Sequence, residues 1–274
     1  MSQWVAGLPM YNVTPRLGAA WRALLADTLA VFARAGGPRG VELLGEPFGE
    51  LLPLWRREDL LLSQTCGYPF RMLGLGALTH LVATPVFDVE GCEGARYSSW
   101  LVVSAAAQAG GATTLAGCRG LRAAYNGEDS HSGMNAFRHA VAPLARGERF
   151  FASATAFGSH RQVLEALAAG RADCAAIDCV TFACLRDALP ERLDAIRVIG
   201  ATASAPGMPL IASRRLDEEQ VAKLREALDT ALAADPARAR ELRLLRFERL
   251  TPADYETIAR FAEEAKALGY PVLA

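Results

Sequence analysis

Asn126-Gly127-Glu128-Asp129-Ser130-His131-Ser132-Gly133-Met134-Asn135 is the stretch on which the reading of this chain turns. An apolar run at 121–125 enters it with the character of a strand, and a helical pattern at 135–144 leaves it. Between them lie two hydroxyls, an imidazole and a glycine. A helix that starts here directs unpaired backbone N–H groups and the positive end of its dipole into the loop. Ser130 and Ser132 can cap those groups or turn outward to a ligand, so the junction reads either as an ordinary serine cap or as an anion site.

Outward from that loop, short strands alternate with helices. Residues 2–11 read as a first strand and its loop. Thr14-Pro15 opens a helix, a cap followed by proline, whose apolar positions Leu17, Trp21, Leu24, Leu25, Leu29 and Phe32 recur at helical spacing. Strands are expected at 59–64, 78–82, 97–104, 119–125, 149–155, 173–178, 195–202 and 210–213. A turn is expected at 65–69, and Pro85 follows the expected strand at 78–82. Helices are expected at 114–116, 135–144, 160–169, 181–189, 217–233, 238–246 and 252–268. The alternation argues for an α/β fold with mixed, mostly parallel sheets flanked by helices.

The central block carries its own strands and helices, and its flanks are too short to fold separately. The expected organisation is therefore two lobes: residues 1–85 with 203–274 in one, and 86–202, bearing the Ser-His-Ser-Gly loop, in the other. Hinges are expected near 82–85 and 202–209. Ligands of such folds sit beyond the carboxyl ends of strands. The organising loop, Ser159-His160 and Asp178 all fall at such positions.

Composition narrows the function classes. Apolar residues make up 51% of the 274 and charged residues 22%, the balance of a globular protein. The net charge of −1 leaves no electrostatic footprint for nucleic acid. Lys223 and Lys266 are the only lysines. No apolar run is long enough to insert into a membrane, and no basic leader precedes the first strand, so the sequence as it stands reads as cytoplasmic, or periplasmic if a leader has been removed. Six cysteines include no Cys-x-x-Cys pair, so no metal site and no cofactor is expected. Cys66 and Cys92 each sit in a glycine-containing turn, and a bridge between them is left open.

Several short segments share an order and spacing that resemble one family. They are Gln64-Thr65-Cys66-Gly67-Tyr68-Pro69, Gly91-Cys92-Glu93-Gly94 with Tyr97-Ser98-Ser99, Asn126 to Gly133, Gly158-Ser159-His160, and Gly170-Arg171-Ala172-Asp173 running to Ile177-Asp178. Together they resemble the phosphate/phosphite/phosphonate substrate-binding proteins of ABC transporters, which have the type II periplasmic-binding-protein fold. The resemblance implies a small anionic ligand, such as a phosphonate or phosphate, clamped between two lobes, and an ABC permease as partner. It implies that Ser130, His131 and Ser132 hold the ligand's oxygens, that Tyr97 and His160 contact it, and that Asp178 can hold an amino group. Tyr11 or Tyr68 would close the site from the first lobe. The chain departs from the family pattern at His131, where a small hydroxyl residue is usual.

Serine and tyrosine hydroxyls and backbone N–H groups are good donors to an oxyanion on their own chemistry. Ser132, His160 and Asp178 are also the residue types of a hydrolase triad, but Gly133 follows Ser132 directly and no G-x-S-x-G elbow is present. No catalytic residue is therefore assigned. The alternative is a cytoplasmic enzyme or metabolite sensor on the same fold, acting on a small carboxylate or cofactor precursor.

Overall fold

The computed structural model describes residues 4–274; Ser2 and Gln3, expected at the start of the first strand, lie outside them. The chain forms two compact units. The first runs up to Asp88 and takes in Pro206–Tyr255; the second comprises Val89–Ala205 and Glu256–Ala274.

A six-stranded mixed sheet carries the first unit. Its spatial order is Leu244–Glu248, Thr79–Phe87, Leu210–Ser213, Leu60–Gln64, Val5–Gly7, Glu42–Leu43. Val5–Gly7 lies parallel to both of its neighbours, and Leu210–Ser213 runs antiparallel to both of its own. Leu60–Gln64 is buried at every position, which suits a continuous apolar run in the middle of a covered sheet. The helices Pro15–Arg34 and Glu218–Ala234 pack on each other, burying Trp21, Leu24 and Phe32 from one and Val221, Leu224 and Leu228 from the other. Each starts with a satisfied cap. Thr14 accepts from the Leu17 N–H at 3.2 Å, and Asp217 and Gln220 form a reciprocal capping box.

The second unit is built on a five-stranded sheet. Its order is Ile196–Ala201, Ser99–Ser104, Cys174–Asp178, Arg122–Tyr125, Ser153–Ala156. Arg122–Tyr125 is parallel to Cys174–Asp178 and to Ser153–Ala156, so all three end on one edge of the sheet. Ser99–Ser104 runs the other way and begins on that edge, with Ser99 opposite Asp178. This topology delivers Ser99, Asn126, Asp178 and the Gly158-Ser159-His160 turn to a single rim. Phe137, Val141, Phe150 and Phe151 fill the core beneath, joined by Ala265 and Tyr270 from the end of the chain.

Several expectations are corrected. The sheets are mixed, as expected, but not mostly parallel: antiparallel pairs are as prominent as parallel ones. Residues 256–274, assigned from sequence to the first lobe, pack in the second unit, and the chain passes between units at 88/89, 205/206 and 255/256. The segment at 82–85, read as a hinge, lies inside the strand Thr79–Phe87. That strand continues through Pro85 because its pairing with Leu210–Ser213 ends at Ala83. Beyond that point it has one neighbour, as an edge strand does, and proline is tolerated there. The expected turn at 65–69 winds into a short helix, Gly67–Met72. The expected helix at 238–246 divides into the helix Pro236–Glu241 and the strand Leu244–Glu248. Tyr97 belongs to a small hairpin, Cys92–Glu93 with Arg96–Tyr97, set apart from Ser99–Ser104. All six cysteines are free thiols, and the sulfur facing Cys92 is that of Cys179, 3.5 Å away.

Candidate ligand site

The organising loop ends in a wide helical turn. Residues His131–Asn135 form a single π-helical turn, with the Asn135 N–H donating to the Ser130 carbonyl at 3.1 Å, and the α-helix Ala136–Ala145 continues from it. Such turns recur at functional sites because they displace side chains from the regular helical track. Ser130 is the cap of this turn: its Oγ accepts from the Gly133 N–H at 3.0 Å. Gly133 is required by close approach. A Cβ at this position would lie 2.1 Å from Asn126 Oδ1 and 3.0 Å from His160 Cε1.

Ser132, His160 and Asp178 meet at one point. Ser132 Oγ lies 2.8 Å from His160 Nε2, and Asp178 Oδ2 lies 3.4 Å from the same nitrogen. Asp178 caps the following helix through its other oxygen, which accepts from the Thr181 N–H at 2.8 Å. His160 opens its own helix behind the Ser159 cap. The Ser132 carbonyl accepts from Ser99 Oγ at 3.0 Å, and the Ser99 N–H donates to Thr202 Oγ1 at 2.9 Å. Ser132, Asp178 and Ser99 are all at least 98% buried.

Polar satisfaction is incomplete around this point. Asn126 Oδ1, His160 Nδ1 and Asp178 Oδ2 are buried and make no hydrogen bond. Nearly all buried polar atoms in folded proteins are hydrogen-bonded, so three such atoms on residues that meet at one loop are an uncommon concentration. Burial pushes the His160 imidazole below its ordinary value, although the Asp178 carboxylate pulls it back, so the ring is neutral at physiological pH.

His131 is engaged differently. Its Nδ1 faces Asn135 Nδ2 at 3.2 Å, and that amide also donates to the Ile258 carbonyl at 3.0 Å and accepts from Arg138 at 2.8 Å. The Asn135 orientation makes Nδ1 the acceptor and places the ring proton on Nε2. Burial first, then the charges of His139 and Arg96, hold this imidazole at about 3. Its ring lies 5.6 Å from that of Phe261 and 6.3 Å from that of Tyr97.

Of the residues nominated from sequence, the structure gathers Ser130, His131, Ser132, His160, Asp178 and Tyr97 within the second unit. Tyr11 and Tyr68 belong to the first. Tyr11 is buried, with its ring edge-on to Phe87 at 5.2 Å; Tyr68 is half-buried in the helix Gly67–Met72. Asn126, Ser99 and Asn135 were not nominated. The signal for Asn126 was its place as the first residue beyond a strand, directly ahead of a glycine. Among the described residues no group of histidine, cysteine, aspartate or glutamate side chains is arranged to hold a metal ion, and no helix is long and apolar enough to cross a membrane.

Residues 57–258, well over half of the chain, match the family profile for the ABC-transporter phosphonate periplasmic substrate-binding proteins. The chain belongs to this family. As a phosphonate-binding-family protein, it shares its fold with solved structures at low sequence identity. PhnD1 from Prochlorococcus marinus (MIT 9301), in complex with methylphosphonate, superposes with a TM-score of 0.72 at 16% identity, covering 96% of this chain and 98% of that one. A binding-protein component of the ABC phosphonate transporter from Pseudomonas aeruginosa gives 0.71 at 17% identity, covering 97% and 88%. A Xanthomonas citri protein bound to ATP gives 0.70 at 17% identity, covering 98% of each chain. No curated protein matches the family member described here by sequence. The fold is that of the type II periplasmic binding proteins.

Proposed function

We propose that the protein is a non-enzymatic solute receptor that captures a small phosphorus oxyanion, a phosphonate or phosphate, for the permease of an ABC importer. The observation that carries the reading is the buried row Ser132 Oγ, His160 Nε2 and Asp178 Oδ2 at the start of the π turn, with unpaired polar atoms around it. The Ser132 hydroxyl and the first N–H groups of the turn supply donors to an oxyanion. Neutral His160 supplies a further hydrogen bond without adding charge. Asp178 accepts from an ammonium or a P–OH group of the ligand. His131, occupied by Asn135, holds the loop in place, and Ser130 caps it. Tyr97, in the same unit, completes the proposed contacts. The binding of methylphosphonate by PhnD1 supports the choice of ligand class.

The geometry favours binding over turnover. In a serine hydrolase the acid orients the histidine through Nδ1 while the nucleophile uses Nε2. Here Ser132 and Asp178 both face Nε2, and Nδ1 has no partner. No relay from acid through imidazole to serine can form in that arrangement.

Thermal unfolding against methylphosphonate, aminoalkylphosphonates, phosphate, phosphite, sulfate and small carboxylates tests the proposal. A ligand at a hundred times its Kd adds about 2.7 kcal/mol, which moves the midpoint of a protein this size by about 5–10 °C. The expected result is a shift with phosphorus oxyanions that Ser132→Ala reduces. Unchanged affinity in both Ser132→Ala and Tyr97→Phe would remove the site. A shift with carboxylates alone would favour the enzyme or sensor alternative. For location, the proposal is the periplasm, which the family description names and which is one of the two locations the sequence reading left open; fractionation of cells expressing the native gene tests it.

A further inference from the structure

Two cysteines of the second unit face each other across its fold. Cys92 lies in the hairpin Cys92–Glu93 with Arg96–Tyr97, paired with Tyr97, and Cys179 opens the helix that follows Asp178. They are 87 residues apart in sequence, yet their sulfurs lie 3.5 Å apart and share a hydrogen bond. Both belong to the same compact unit.

The backbone around them is built for this approach. The Ser98 N–H donates to the Gly91 carbonyl at 2.9 Å, and the Cys179 N–H donates to the Ser98 carbonyl at 3.1 Å. Ser98 therefore ties the residue before Cys92 to Cys179. Gly91 itself lies against Cys179. A Cβ on Gly91 would sit 2.9 Å from Cys179 Cβ and 3.2 Å from its Sγ, and the φ of +93° there is one that glycine adopts without strain. A disulfide needs its sulfurs about 2.05 Å apart. The remaining movement of about 1.5 Å is within reach of rotation about the two Cα–Cβ bonds.

Access separates this pair from the other cysteines of the same core. Cys118 and Cys174 are both fully buried, and their thiols donate to the Thr114 and Arg122 carbonyls. Cys92 is half-buried and gives an external oxidant a point of entry. The hydrogen bond with Cys92, and burial after it, push the Cys179 thiol above its ordinary value, so Cys92 is the thiol that reacts first.

We propose that Cys92 and Cys179 are a disulfide site, and that the bond between them fastens the hairpin bearing Tyr97 to the strand–helix junction bearing Asp178. The oxidant is a disulfide donor such as glutathione disulfide. The Cys92 thiolate attacks one donor sulfur, breaks the donor's S–S bond and releases one half as a thiolate. Cys179 then gives up its proton and attacks the Cys92 sulfur of the mixed disulfide, expelling the other half. The chain loses two electrons and two protons, and the donor takes them up as two thiols. An oxidising compartment favours the bonded form. The inference stands apart from the ligand reading and survives its failure.

The test treats wild type and Cys92→Ser with glutathione disulfide or with a phosphine reductant. Peptides are then mapped without reduction by mass spectrometry, and thermal unfolding is followed in each treatment. Oxidised wild type should yield two peptides joined through Cys92 and Cys179. It should melt about 5–10 °C above its reduced form, because a bond closing so long a loop removes freedom from the unfolded chain. Cys92→Ser should yield no such pair and melt at one temperature in both treatments. Cys92 recovered as a free thiol or a glutathione adduct after prolonged oxidation overturns the inference, as does a bond from Cys92 to any other cysteine. A bonded wild type that melts no higher than the reduced protein overturns the fastening role. An equal rise in Cys92→Ser assigns the effect to another pair and overturns it as well.

Discussion

Ser132 is held through both its backbone and its side chain, by Ser99 and by His160. Its neighbours carry the consequences of that burial. His131 has an ordinary value of 6.5 and is held at about 3 in the fold. In the unfolded chain it protonates as the pH falls through 6.5; in the native state it stays neutral until about 3. Between those limits the unfolded state binds the extra proton, so stability present above pH 6.5 is lost as the pH falls, by up to about 1.4 kcal/mol per unit. Denaturant unfolding at pH 7 and pH 4.5 should therefore show a steeper loss in wild type than in His131→Phe; equal slopes would mean that the imidazole titrates alike in both states. Gly133→Ala makes a second prediction. The added Cβ must displace the Asn126 side chain, at a cost of about 1–3 kcal/mol, and ligand affinity should fall with it. A variant with wild-type stability and affinity would show that Asn126 moves without consequence. Ser132, His160 and Asp178 were legible in sequence because each sits where a strand ends or a helix starts. Ser99 was not, because a hydroxyl in a strand has the same local signature whether its partner is protein or ligand, and Asn126 was marked by nothing but its place just beyond a strand.

At the scale of elements, the π turn and the helix Glu256–Ala267 depend on one amide. Asn135 Nδ2 bonds His131 and the Ile258 carbonyl, while its oxygen accepts from Arg138, which in turn donates to Pro271 O. His139 stacks on Phe261 with ring centroids 4.1 Å apart, and its Nε2 lies 2.7 Å from Glu264. Asn135→Ala removes the donor to His131 Nδ1, the side-chain donor to the Ile258 carbonyl and one acceptor of Arg138, and should destabilise the protein by about 1–3 kcal/mol in chemical denaturation. A loss below about 0.5 kcal/mol would mean that water replaces the amide. Helix starts marked by a cap were readable in advance, as at Thr14 and Ser159. The strand Leu244–Glu248 was not. Its apolar residues fit a helical period as well as an alternating one, and only its pairing with Pro85, Val86 and Phe87 selects the strand. The π turn was equally hidden, since its wider winding follows from what the turn packs against rather than from a residue pattern.

At the scale of the molecule, sequence reading found two units and the resemblance that names their family, but it placed the last segment in the wrong one. Chain order made 256–274 a continuation of the helices before it, whereas the contacts that decide its place are long-range: Ile258 to Asn135, Phe261 to His139, and Ala265 and Tyr270 to the Phe137 and Phe151 core. Periodicity shows that Glu256–Ala267 has a buried face but does not show which sheet buries it. The two assignments make opposite predictions for a chain ended after Tyr255. If the segment belongs with the first unit, its removal weakens the sheet holding Leu60–Gln64. Its place in the second unit predicts the reverse. Loss of Ala265 and Tyr270 from that core, and of Phe261 from against His131 and His139, should lower the opening free energy of Ser99–Ser104 and Arg122–Tyr125 by more than about 3 kcal/mol, while Leu60–Gln64 keeps its protection. Amide hydrogen exchange on the truncated protein reads both sheets in one experiment. Fluorescence gives an independent signal, because Trp100 lies in the second unit while Trp4, Trp21 and Trp55 lie in the first. Protection lost first from Leu60–Gln64, with Trp100 unchanged, would return the segment to the first unit.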